Sequence, residues 1–144
     1  MKKRLFGIIA AAAVAAPALL CAGSAQAASG VPVTWKNKGT NRCLDHVSGA
    51  VVMGQCDFGY QTWYEKKQSD GTYTLNDGDK CLEQSHGGVR LAGCNGSNNQ
   101  RWYEKKLSNG WRLTSKATKR TLGTNSSHGI YVGIDAGGKL QRWS

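Results

Sequence analysis

Gln61-Thr62-Trp63-Tyr64-Glu65-Lys66-Lys67 and Gln100-Arg101-Trp102-Tyr103-Glu104-Lys105-Lys106 are nearly one heptapeptide written twice, and Gln141-Arg142-Trp143 begins it a third time. The three Gln-x-Trp triplets stand 39 and 41 residues apart. Upstream of them, Cys43-Leu44-Asp45 recurs as Cys81-Leu82-Glu83 and, degraded, as Thr121-Leu122-Gly123. A fixed period near 40 residues marks one supersecondary unit used three times. The repeats run approximately 31–68, 69–107 and 108–144.

Inside a repeat the chain is short-stepped, as in Thr72-Tyr73-Thr74-Leu75, Asn76-Asp77-Gly78, Lys80-Cys81-Leu82, His86-Gly87-Gly88 and Val89-Arg90-Leu91. β-Branched and aromatic residues between Asn, Asp and Gly clusters read as strands joined by tight turns. No helical periodicity of useful length interrupts them. Four strands in each of three repeats predict an all-β body of twelve short strands. One such repeat is too small to bury its own apolar face. Closing three around a threefold axis gives a shared core and removes exposed sheet edges, which is a β-trefoil.

The N-terminus lies outside this pattern. Lys2, Lys3 and Arg4 precede an apolar run from Leu5 to Leu20 and a small-residue stretch ending Ala25-Gln26-Ala27. That is the form of a secretory signal peptide over residues 1–27, of bacterial character, and it is short for a membrane span. Cys21 follows Leu20, where a lipoprotein signal carries a small residue, so lipidation is not expected. Residues 28–144 then form one domain of 117 residues. It has 16 basic against 9 acidic residues, a net charge of +7. A scattered basic surface suits anionic partners such as wall polymers; with no dense basic run interleaved with aromatics, nucleic acid is not expected.

Four cysteines remain after the leader, and an even count in a secreted chain predicts disulfides. Of three connectivities, Cys43–Cys56 with Cys81–Cys94 repeats one separation of 13 residues and staples one local unit each. Zinc is disfavoured because no Cys-x-x-Cys pair exists, and no metal or cofactor is expected.

Three Gln-x-Trp triplets with Cys-Leu-Asp/Glu upstream make the chain resemble the ricin B-type lectin family over essentially all of residues 28–144. The resemblance implies that Gln61, Trp63, Gln100, Trp102, Gln141 and Trp143 are structural. A recurring Trp fills a shared core, and a Gln amide ties a turn to backbone groups. It also implies one sugar site per repeat, formed by the acid of Cys-Leu-Asp, an aromatic shortly before the second Cys, and an Asn just before Gln-x-Trp.

No repeat holds that trio complete. The first keeps Asp45 but has Val51-Val52-Met53-Gly54-Gln55 before Cys56, leaving Phe58 and Tyr60, in the loop before Gln61, to replace the aromatic from the other side, with Tyr60 standing where the Asn belongs. The second has Asn99, with Glu83 for the acid and Arg90-Leu91-Ala92-Gly93 where the aromatic belongs. The third has Gly123 for the acid and Leu140 for the Asn, with Tyr131 near the aromatic position. If a sugar binds, the site expected is the first repeat's, with Asp45 as a solvated acid and Tyr60 or Phe58 as the stacking surface.

Two functions fit. One is a secreted lectin-like module for a cell-surface or wall glycan. The other is a protein-binding trefoil: a subunit or adaptor of a secreted, toxin-like assembly, or a protease inhibitor. An enzyme is not expected. Asp45, His46 and Ser48 are sequence neighbours, but alternation along a strand turns Asp45 and His46 to opposite faces, and a triad needs convergence in space.

Overall fold

In a computed structural model the described residues are 30–144, so the expected signal peptide lies outside them. They fold as β1 (Val31–Val33), β2 (Cys43–Val47), β3 (Ala50–Gly54), β4 (Trp63–Lys67), β5 (Tyr73–Asp77), β6 (Lys80–Ser85), β7 (Gly88–Gly93), β8 (Trp102–Leu107), β9 (Gly110–Ser115), β10 (Thr121–Thr124) and β11 (Ile130–Gly133). Short 3-10 turns at Asn98–Gln100 and Lys139–Gln141 precede Trp102 and Trp143. Eleven strands form rather than the twelve expected. The twelfth position is held by Trp143, which makes only single bridges, to Trp111 and to Asn37.

Those bridges close a barrel. β1, β4, β5, β8 and β9 are hydrogen-bonded in that order. Residues 143 and 144 then bond to Trp111 on one side and to Lys36 on the other. Each repeat also contributes an antiparallel hairpin, β2–β3, β6–β7 and β10–β11. The first two turn through Ser48-Gly49 and His86-Gly87, both residues of each pair at positive φ, the type I′ geometry that matches strand twist. This is a β-trefoil.

The core is the same set of positions taken three times. Trp63, Trp102 and Trp143 are fully buried, as are Leu44, Leu82 and Leu122 from the hairpins, and Leu75 and Leu113 join Trp35 at the barrel positions. Cys43 bonds Cys56 and Cys81 bonds Cys94, each closing a loop of the same 13-residue separation. By loop-closure reasoning each bridge stabilises by roughly 3 kcal/mol. The third repeat lacks the bridge; there Asn125 Oδ1 accepts from the backbone N–H of Ser127 and Gly129 and organises the longer hairpin turn. No helix among the described residues is long and apolar enough to cross a membrane.

Candidate functional site

The Gln-x-Trp triplets build three matching brackets. The indole N–H of Trp63, Trp102 and Trp143 donates to the carbonyl of Leu44, Leu82 and Leu122 at 2.9, 3.1 and 3.1 Å. Gln61 Nε2 donates to the Gln55 carbonyl while its Oε1 accepts from Asp57 N–H. Gln100 does the same with Gly93 and Asn95, and Gln141 with Ile134 and Ala136. Each amide therefore fixes the loop between a hairpin and the next barrel strand, with both halves satisfied.

Beside each bracket lies the position of the family acid, and each is closed by a different device. In the second repeat Glu83 pairs across the hairpin with Arg90, whose Nε donates to Glu83 Oε2 at 2.8 Å. The guanidinium sits where the aromatic belongs and neutralises the acid. In the third repeat Gly123 pairs with Tyr131. A Cβ at 123 would lie 2.9 Å from the Tyr131 ring and 2.8 Å from Gln141 Cγ, so the tyrosine has settled into the space the acid would occupy.

The first repeat corrects the expectation of a solvated acid. Asp45 is only 4% exposed. Its Oδ1 accepts from the backbone N–H of His46 at 2.6 Å and of Tyr60 at 2.9 Å, and its Oδ2 accepts from Gln61 Nε2 at 3.1 Å. Gly54 and Gly59 approach so closely that a Cβ on either would collide with Oδ2. The valine-rich strand without an aromatic and a loop with glycine at 59 let the backbone fold over the carboxylate. Asp45 thus holds the loop rather than facing solvent.

What that loop presents is aromatic. Phe58 and Tyr60 are 68% and 67% exposed, among the most exposed large apolar side chains of the described residues. The Tyr60 ring lies stacked on His46, centroids 5.4 Å apart at 24°, and His46 in turn stands edge-on to buried Trp63 at 5.4 Å and 71°. His46, Tyr60, Tyr64 and Asp77 line a groove of about 170 Å³. His46 Nε2 is 3.1 Å from Asp77 Oδ2, an ion-pair distance without hydrogen-bond alignment. Asp77 belongs to the second repeat, so the groove crosses a repeat junction. Its counterpart at the next junction is the bond from Ser115 Oγ to Gln84 Oε1.

The sequence profile of the ricin-type β-trefoil lectin domain matches residues 31–143. The chain belongs to the ricin-type β-trefoil lectin family. Among curated proteins none matches significantly. Solved structures similar to this ricin-type trefoil include the designed 3-fold symmetric protein ThreeFoil, with TM-score 0.67, 19% identity, and coverage of 76% of this chain and 94% of that one. SeviL bound to asialo-GM1 saccharide matches with TM-score 0.68 and 16% identity over 78% and 93% of the two chains. A mosquitocidal holotoxin matches with TM-score 0.68 and 20% identity over 80% of this chain but only 17% of its own. At these identities the likeness is one of fold.

Three site features escaped the sequence. His46 and Asp77 are 31 positions apart in different repeats, and Tyr64 reads as one more strand residue of the recurring Trp-Tyr-Glu-Lys-Lys. Their meeting depends on how one repeat packs on the next, and the self-comparison of repeats carried no signal for it. Among the described residues no group of three or more His, Cys, Asp or Glu side chains is placed to hold a metal ion.

Proposed function

We propose that this protein is a secreted, non-enzymatic binding module of bacterial origin, residues 1–27 serving as its signal peptide, that recognises a cell-surface or wall glycan through the first repeat. The observation that carries the reading is the pair of exposed aromatics on a pinned loop. A ring held rigid by His46 beneath it can cover the apolar C–H face of a sugar at little ordering cost. Asp45 acts as a positioning residue: its hydrogen bonds fix Tyr60. Asp77, with its side chain partly exposed, and His46 supply polar contacts for hydroxyls at the edge. The paired acid of the second repeat and the missing acid of the third favour one atypical site at the family position over three equal ones.

A secreted protein partner is the second reading, favoured by the same exposure of Phe58 and Tyr60, since interfaces concentrate their energy in a few aromatic or Arg anchors. As a subunit or adaptor of a toxin-like assembly or as a protease inhibitor, the module would use this loop as a plug.

A glycan array followed by titration separates the two. Binding that is lost in Tyr60→Ala with the thermal midpoint unchanged supports the glycan reading. A folded wild-type protein that binds nothing on the array, yet co-purifies stoichiometrically with a secreted protein, overturns it in favour of the second.

A further inference from the structure

Equivalent barrel strands of the three repeats run into loops of unequal length. In the first repeat Asn37 N–H bonds to the Arg42 carbonyl, and in the third Ser115 N–H bonds to the Arg120 carbonyl, so each encloses four residues, 38–41 and 116–119. In the second, Asp77 pairs directly with Lys80, and only Gly78 and Asp79 remain between them. The longer loops cover what lies below. The Asn41 carbonyl is 3.6 Å from Cys56 Sγ, over the first disulfide, and Lys119 Nζ lies 4.7 Å from the Tyr103 ring centroid.

The two-residue turn covers nothing, and a cleft of about 380 Å³ opens there, with the Cys81–Cys94 bridge in its wall. That is within the roughly 300–1,000 Å³ of small-molecule sites. Asn76 faces it. The residue is 7% exposed, its Nδ2 reaches only the Gly78 carbonyl at 3.3 Å, and its Oδ1 is buried with no partner. A buried carbonyl oxygen without a donor is a standing penalty, and a turn of the Asn76 amide toward the cleft would let an incoming hydroxyl remove it.

The rest of the lining says which ligand. Thr74 offers a hydroxyl whose oxygen already accepts from Gln68 Nε2 at 3.3 Å, leaving its proton to donate. Lys66 and Asp79 also line the cleft, and their opposite charges cancel. Donors and acceptors interleave without net charge. An anion would meet the Asp79 carboxylate and the Asn76 oxygen, and a divalent cation would find a single carboxylate.

We propose that this cleft is a second ligand site, separate from the Tyr60 loop, that takes one neutral polyhydroxylated ring such as a hexose residue. Each ring hydroxyl both donates and accepts, which is what Asn76, Thr74 and Gln68 together require. The cleft opens in the second repeat, where the covering loop is two residues shorter than its counterparts. The site stands whether or not the Tyr60 loop binds sugar.

The test is a titration of ¹⁵N-labelled protein with methyl β-galactoside, methyl β-glucoside and methyl α-mannoside, each to high millimolar concentration, with glucuronate as the charged control. The expected result is movement of the Asn76 side-chain amide and the Gly78 and Gly96 backbone signals with at least one neutral glycoside, weaker with glucuronate. Thr74→Val and Lys66→Gln, both compatible with the strand, should each weaken that binding by about tenfold, the worth of one hydrogen bond, with the thermal midpoint retained. Tyr60→Ala should leave it unchanged. Shifts confined to His46, Tyr60 and Tyr64, or no shifts with any of the three glycosides, would overturn the assignment.

Discussion

The carboxyl groups of Glu65 and Glu104, equivalent residues of the first and second repeats, lie against one another, and their proximity holds Glu104 well above the ordinary carboxylate range. Both follow a buried tryptophan by two positions and so face the same side of their strands, toward the barrel interior. Burial first, then the hydrogen bond and the charge of Glu65, push the Glu104 carboxyl up to about 9 from an ordinary 4.5.

The sign follows from that direction. A carboxyl raised in the folded state stabilises fully below about 4.5, and that contribution is lost as pH rises through about 9. Glu104→Gln keeps a donor for Glu65 without the titration. It should leave stability near pH 4 almost unchanged and exceed the wild type at pH 9 by about 1–2 kcal/mol. Thermal midpoints across pH 4–10 check it, and parallel curves for the two proteins would contradict it.

Asp135 shows the opposite shift. The Arg142 guanidinium holds it at about 2, with Gly137 N–H and Arg112 assisting against burial. Arg142 Nη1 and Nη2 reach its two oxygens at 2.9 and 3.2 Å, and the arginine side chain is 4% exposed. This stabilisation is present above about 4 and fades as pH falls through about 2. Asp135→Asn should cost about 1.5–3 kcal/mol at pH 7, the worth of hydrogen bonds to a charged group, and almost nothing at pH 2. Urea midpoints at the two pH values decide.

Emptying any of the three indole sites should cost about 3–5 kcal/mol. In Trp102→Ala the loss includes the donor to Leu82, so Trp102→Phe, which keeps most of the packing, should lose less. A Trp102→Ala protein with an unchanged thermal midpoint would remove the residue from the core.

Gly59 and Gly49 make a matched pair, since both sit near φ +85, at +86 and +84, but only Gly59 is pressed against Asp45. Gly49→Ala bears the left-handed strain alone, about 1 kcal/mol. Gly59→Ala adds the collision and should cost about 2–3 kcal/mol while displacing Tyr60 from His46. Equal midpoints for the two variants would show that the loop is not seated on the carboxylate.

The architecture was legible because its cues are repeated. A Trp, a Gln and a Leu at one phase in three units leave a single closed arrangement, and equal Cys spacings select the pairing. The state of each acid was not legible. Cys-Leu-Asp reads alike whether its carboxylate faces water or a folded-over loop, and the decision rests with Gly54 and Gly59, small residues with many uses. Arg90 could be seen to replace an aromatic, but its bond to Glu83 depends on hairpin register. The groove at His46 and Asp77 depends on contact between repeats, which no local pattern encodes.

Barrel closure has a kinetic consequence. The ladder that closes the barrel joins Ser144 to Lys36, across 108 residues of sequence, whereas every hairpin joins near neighbours. Loop entropy must be overcome before that seam gives anything back, so the folding time belongs to the slow, millisecond-to-second class of non-local β proteins. Until residues 143 and 144 dock, Trp111 and the strand at Lys36 have open edges, and the half-closed barrel is the species most exposed to pairing with another copy.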